Sequence, residues 1–229
     1  MTAILKVDEI QDTSGNLIIK EDSNTITLGA SGDTITIPSG ATITNNGTAT
    51  GFADPAMEQV SQTTVSSAVA SVSLTGMDST YKTYKIIIND VTLSSNQNLR
   101  FRFINSGGDV TGSNYFGIMA GGYKPYNSSD AIARGSNYNS DYGRMSNFDI
   151  SSNATNASSF EMIINNPSNT ATYPLVFGNV GNSGSNGTYM ITNTFAFQYT
   201  SAGAITGIKF YGASDANIST GTFTLYGLK

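Results

Sequence analysis

The sequence predicts an all-β protein: a short-strand repeat stem, β-prism-like, followed by a jelly-roll-like β-sandwich. Three observations point that way. First, the 229 residues are only 12% charged and 38% hydrophobic, yet include 24 Gly, 12 Tyr and 11 Phe. That is a polar, uncharged, turn-rich chain with enough aromatics to fill a core, unlike a disordered one. Second, apolar and polar residues alternate with a period of two over many short segments, and no segment of useful length has helical periodicity. Third, clusters of Gly, Asn, Asp and Ser separate those segments, which is turn chemistry.

The repeat occupies residues 1–50. Leu17, Ile26 and Ile35 are spaced nine apart, with Ile43 eight further on, and Ile10, Ile19, Leu28 and Ile37 form a second nine-residue series. Thr-Ile-Thr recurs at 25–27, 34–36 and 42–44. Each unit reads as a short strand with one apolar face. Two apolar side chains per strand cannot bury themselves, so such units must stack on their neighbours or on other chains. One reading is an oligomeric stem whose core is completed by these eight residues from several copies. The other is an ordinary β-meander leading into the larger domain. The stem reading predicts a homotrimer, because threefold closure hides strand edges that would otherwise aggregate.

Residues 51–70 are small and polar and read as a linker. Within them "DPAMEQV" reads as a short helix, with Asp54 as N-cap and Pro55 at the first helical position. From 71 to 229 longer strands follow, among them "YKTYKIIINDVTL", "NLRFRFI", "YFGIMAGGY", "SSFEMIINN", "TYMITNTFAFQYT" and "STGTFTLYGLK". Many short strands at this spacing predict a two-sheet sandwich, most often a jelly roll. Residues 105–147 read as one long irregular region, and long loops in compact domains are usually functional or disordered.

Composition excludes several functions. The chain has no Cys and no His. Ser-His-Asp and Cys-His catalysis and Cys/His zinc sites are therefore excluded, no metal site or cofactor is expected, and the protein is read as a non-enzyme. A glycosidase would need two carboxylates that meet in space, and the eight acids beyond residue 60 are thinly spread. The net charge is −5. Residues 1–60 hold two basic and eight acidic residues, a balance of −6; the rest holds nine and eight, a balance of +1. Without a Lys/Arg run in the sequence, nucleic acid is not an expected partner, and neither is a membrane surface. No apolar run is long enough to span a bilayer, and no signal peptide precedes the repeat, so assembly in a cytoplasm is expected.

One constellation remains. Five of the 12 Tyr lie between 115 and 142. Tyr115, Tyr123, Lys124, Tyr126, Arg134, Tyr138, Tyr142 and Arg144, set among Ser, Gly and Asn, have the vocabulary of a binding loop. Flat aromatic faces suit sugar rings. The alternative is that these tyrosines cover the sandwich or pack on a neighbouring subunit, and the sequence leaves both readings open.

The opening "ILKVDEIQDTSGNLIIKEDSNTITLGASGDTITIPSGATI" resembles the N-terminal repeat of tail-fibre and virion structural proteins of tailed bacteriophages of aquatic and marine bacteria. "STYKTYKIIINDV" and the closing "AITGIKFYGASDANISTGTFTLYGLK", with its final LYG strand, resemble other parts of that family. The resemblance covers both ends and the first long strand, and leaves about 105–190 unmatched. It implies a homotrimeric virion appendage assembled in the bacterial host cytoplasm. Its N-terminal segment would attach to other tail or capsid proteins, and its distal sandwich would bind polysaccharide or protein on the host surface. A head fibre, a capsid decoration or a tail-tip protein without receptor binding is the alternative.

Overall fold

The computed structural model describes residues 9–15, 17–23, 25–42, 44, 56–126, 129–184, 189–201 and 203–229. The chain divides into two compact units, Met1–Ala53 and Asp54–Lys229.

The N-terminal unit holds β1 (Glu9–Gln11), β2 (Leu17–Asp22) and β3 (Thr25–Leu28), an antiparallel meander in the order β1-β2-β3. Its register explains the nine-residue beat. Ile10 lies opposite Ile19, and Ile19 opposite Leu28, so the series forms one apolar row across the three strands. The second Thr-Ile-Thr copy forms no strand. Instead the chain turns at residues 29–33, where Asp33 Oδ2 accepts from the Ala30 amide at 2.7 Å. Ile35 then returns to share a hollow with Ile18, Ile19 and Leu28. Ile10, Ile19, Ile26, Leu28, Ile35 and Ile37 are all exposed. Ile43 lies outside the described residues, and of Leu17 only the backbone is described.

The C-terminal unit begins with β4 (Met57–Val65), β5 (Ser71–Thr75), β6 (Thr83–Leu93) and β7 (Leu99–Asn105). It continues through β8 (Gly108–Asp109), β9 (Tyr115–Pro125), β10 (Ala131–Ser140), β11 (Gly143–Arg144) and β12 (Ser158–Asn165). It ends with β13 (Leu175–Asn182), β14 (Tyr189–Tyr199), β15 (Gly207–Gly212) and β16 (Ile218–Leu228). All pairings are antiparallel. Eight strands form a large sheet in the order β10-β9-β14-β13-β12-β6-β16-β4, and a small sheet runs β11-β7-β15-β5, with β8 on β7. One core of buried residues includes the inward rows of both sheets.

Alternation fixes which side chains enter that core. In β7, Leu99, Phe101 and Phe103 are buried between Arg100 and Arg102; in β6, Tyr84, Ile86 and Ile88 are buried. Phe101, Phe103, Tyr115, Phe197 and Tyr199 meet as an aromatic cluster with ring centroids 5.2–6.0 Å apart, mostly edge to face.

Two segments depart from expectation. Residues 57–65, within the stretch read as linker and partly as helix, form β4. The Asp54-Pro55 capping signal is outweighed because Glu58, Gln59, Ser61 and their neighbours pair along β16, and pairing satisfies a backbone that an isolated helical turn would leave open. Residues 105–147, read as irregular apart from the strand "YFGIMAGGY", contain the long β9–β10 hairpin. Gly117 and Gly121 in β9 serve close packing rather than a turn: a Cβ at Gly117 would collide with the Phe197 ring, and one at Gly121 with the backbone of β14.

Candidate functional site

The β9–β10 hairpin forms one edge of the large sheet, and its alternation sorts the eight residues singled out by sequence. Tyr115 belongs to the core. It is fully buried, its hydroxyl accepts from the Phe103 amide at 2.7 Å and donates to the Val110 carbonyl at 3.3 Å, and its ring stacks on Phe103. Burial pushes its phenol above the ordinary tyrosine range. A role for Tyr115 in contacting a receptor is therefore corrected, because no part of it reaches the surface. Tyr123 is half-buried, edge-on to Phe148 at 5.3 Å. The Tyr142 ring lies beneath the Arg100 guanidinium at 4.0 Å, and Arg144 donates to Asn98 at 3.4 Å and Asn147 at 3.2 Å. These residues have partners inside the unit.

The other four are exposed. Lys124, Arg134 and Tyr138 point from β9 and β10 to the outer face of the large sheet, and Tyr126 follows the end of β9. Lys124 pairs with Asp130 at 2.8 Å. Tyr138, 74% exposed, meets Phe116 edge-on at 6.0 Å.

Around them the structure adds apolar residues that sequence reasoning passed over. Phe116, Ile118, Ile132, Leu175, Phe177 and Met190 are all exposed. The register aligns them in rows: Ile118, Ala196 and Phe177 lie side by side across β9, β14 and β13, as do Phe116, Gln198 and Leu175. β14 forms the floor of a trough: Ala196 lies between Ile118 and Phe177, and further along the strand Thr194 lies between Ala120 and Asn179, and Thr192 between Gly122 and Gly181. One hollow lies between Ile118 and Phe177. A larger one, about 650 Å³, is floored by Gly122 and Thr192 and walled by Ile132, Met190 and Lys124. The face thus combines aromatic and aliphatic walls with a hydroxyl-lined floor and an ion pair at one end, a composition suited to noncovalent recognition. The signal was present in "YFGIMA", where both parities are apolar. One parity fills the core, leaving the other on the surface.

The opposite side of the unit gathers charge. β7 presents Arg100 and Arg102, β15 presents Lys209 and Tyr211 directly across from them, and β11 sets Arg144 opposite Arg100. Four basic residues spread over 110 positions of sequence thus converge, where the sequence had shown no basic run. Arg102 pairs with Asp141, and its guanidinium lies 5.0 Å from the Tyr211 ring centre. Lys209 pairs with Asp109 at 2.6 Å. Burial pushes the Tyr211 phenol up to about 12, against the pull of Arg102. Among the described residues no three acidic side chains converge on a point where they could hold a metal ion.

No family model, curated protein or solved structure matches this chain.

Proposed function

We propose that this chain is the subunit of an oligomeric virion appendage, in which the N-terminal unit assembles with its copies and the C-terminal sandwich recognises a surface. The observation that carries the reading is the contrast between the two units. The sandwich buries a complete core of its own, whereas the described apolar side chains of the N-terminal meander are exposed. A three-stranded sheet with an uncovered apolar row needs a partner. Three copies of the row Ile10, Ile19 and Leu28, closing as a β-prism, supply one another's core, and a homotrimer follows. The sandwich, jelly-roll-like in this reading, would carry recognition on its outer face, with the walls formed by Phe116, Ile118 and Phe177 and with Tyr138, Arg134 and Lys124 at the rim. Its target would be a polysaccharide or protein of the host cell. The absence of His and Cys from the sequence supports binding rather than catalysis. The resemblance of both ends of the chain to phage fibre proteins supports the virion setting and host-cytoplasmic assembly.

The test is immunogold labelling of particles from a lysate carrying this gene, coupled to adsorption. Gold on the tail and antibodies that block adsorption are expected. Gold distributed over the head, at tens of copies or more, would replace the fibre with a capsid decoration. Unlabelled particles would end the virion reading.

A further inference from the structure

We propose that the outer face of the small sheet around Arg100 and Arg144 is an oxyanion-binding site. This goes beyond the recognition face above, since it lies on the other sheet and rests on different residues.

Arg144, Arg100 and Tyr211 stand directly opposite one another on β11, β7 and β15, forming one row across the sheet. Like charges placed opposite one another in an antiparallel pair repel. Such a pair persists where an opposite charge offsets it. The neighbouring row shows this solution: Arg102 has Asp141, and Lys209 has Asp109. Arg100 and Arg144 have no carboxylate at ion-pair distance among the described residues. Arg100 has the face of Tyr142, and Arg144 has the neutral amides of Asn98 and Asn147. Asp149, within the electrostatic reach of Arg144, accepts instead from Asn98 Nδ2 at 2.7 Å. Burial holds the Asp149 carboxyl above its ordinary value despite Arg144.

A second observation is independent of charge. Buried side-chain polar atoms are almost always hydrogen-bonded. Here Arg100 Nε, Arg144 Nε, Asn147 Nδ2 and Tyr211 Oη are all buried without a partner. Three of these can only donate, and the fourth donates readily. Both arginine side chains nevertheless remain partly exposed. Donors lacking acceptors, on or beside two neighbouring guanidinium groups that have no carboxylate partner among the described residues, fit a ligand with several acceptor oxygens and negative charge: sulfate, phosphate or the carboxylate of an acidic sugar. Guanidinium forks match those groups bidentately, which neutral sugars cannot exploit. Nucleic acid is disfavoured by the chain's net charge of −5 and by the small extent of the cluster.

The experiment is isothermal titration of the full-length chain with sodium sulfate, sodium phosphate, sodium glucuronate and, as a neutral control, glucose, at ionic strength held constant with NaCl. Saturable binding of at least one anion at one site per chain is expected, with none for glucose. R100Q and R144Q are each expected to weaken it by about tenfold or more, whereas K124Q, on the other sheet, leaves it unchanged. Where a Gln variant fails to fold, R100K or R144K keeps the charge while removing the fork, and is expected to weaken binding as well. Saturation by sulfate or phosphate assigns the site to a free anion. Preference for glucuronate assigns it to an acidic sugar. Absence of saturable binding, or equal affinity in the arginine variants, overturns the proposal. Loss of anion binding here would leave the outer face of the large sheet untouched, so the two readings fail separately.

Discussion

Replacing Ile26, Ile35 and Ile37 together by Ser is expected to release single chains from the assembly while leaving the sandwich folded. These residues expose 68, 59 and 45% of their surface, which the proposed assembly would bury. Complete burial of an Ile is worth about 1.5–3 kcal/mol, so the exposed fractions of all three amount to roughly 3–5 kcal/mol per chain. In a trimer that is about 8–15 kcal/mol. Each 1.4 kcal/mol is tenfold in the constant, and the midpoint of trimer dissociation follows its square root, so the midpoint rises at least about a thousandfold. Sedimentation velocity across a dilution series reads the midpoint. The tyrosine band of the near-UV circular dichroism spectrum reads the sandwich alone, because all 12 Tyr lie at or beyond Tyr81. A triple variant that assembles at the same concentration as the parent would refute the reasoning and assign assembly to the sandwich. A variant that loses its tyrosine signal would show that the two units do not fold independently.

Three further outcomes follow from the sandwich. Y115F leaves the Phe103 amide without its buried acceptor and is expected to cost about 1–3 kcal/mol in chemical denaturation, with binding to whole cells unchanged; a loss of cell binding without a loss of stability would return Tyr115 to the recognition surface. G178A places a Cβ against the Glu161 carbonyl and 2.6 Å from Phe195, an overpacking worth about 1–3 kcal/mol, so calorimetry is expected to show Tm lower by roughly 2–12 °C. Glu58 accepts from the Tyr81 hydroxyl at 2.7 Å and lies 3.3 Å from Lys229 Nζ, and these hold its carboxyl below the ordinary value. Its contribution is therefore present above the unfolded-state pKa and lost as pH falls through the lowered one; E58Q is expected to be less stable than the parent at pH 7, with the gap closing in acid, and a gap that widens in acid would contradict this.

The legibility of the chain depended on whether one face of a strand was buried and the other polar. "NLRFRFI" read correctly because Phe101 and Phe103 enter the core while Arg100 and Arg102 stay out. The nine-residue beat of the N-terminal unit read as strands because meander register places Ile10, Ile19 and Leu28 opposite one another, although the turn at 29–33 interrupts it. Within residues 105–147 the strand "YFGIMAGGY" was legible, whereas its partner β10 was not, because "AIARGSNYNS" is rich in the Gly, Ser and Asn of turns. Gly117 and Gly121 are small because β14 and Phe197 press against them. The apolar outer face was obscured by the same strand, since "YFGIMA" carries large residues on both parities and no alternation survives. The basic row was invisible because its members come from three strands far apart in sequence. Only pairing brings Arg144 and Tyr211 to either side of Arg100.

The strand order of the large sheet sets a timetable for biosynthesis. β16, the final strand, lies between β6 and β4, so the first strand of the sandwich cannot dock until the last has left the ribosome. Gln62 and its hydrogen-bond partner Thr224 are 162 positions apart, an interval of roughly 8–30 s at ordinary translation speeds. Throughout it β4 waits as an open edge, the situation that invites pairing with the wrong chain. Its sequence, MEQVSQTTV, is suited to waiting: charged at one end, amide- and hydroxyl-rich along its length, and without an aromatic to seed an aggregate. Meanwhile the N-terminal repeat has already emerged, so under the proposed assembly neighbouring nascent chains on a polysome would register their repeats before any sandwich closes.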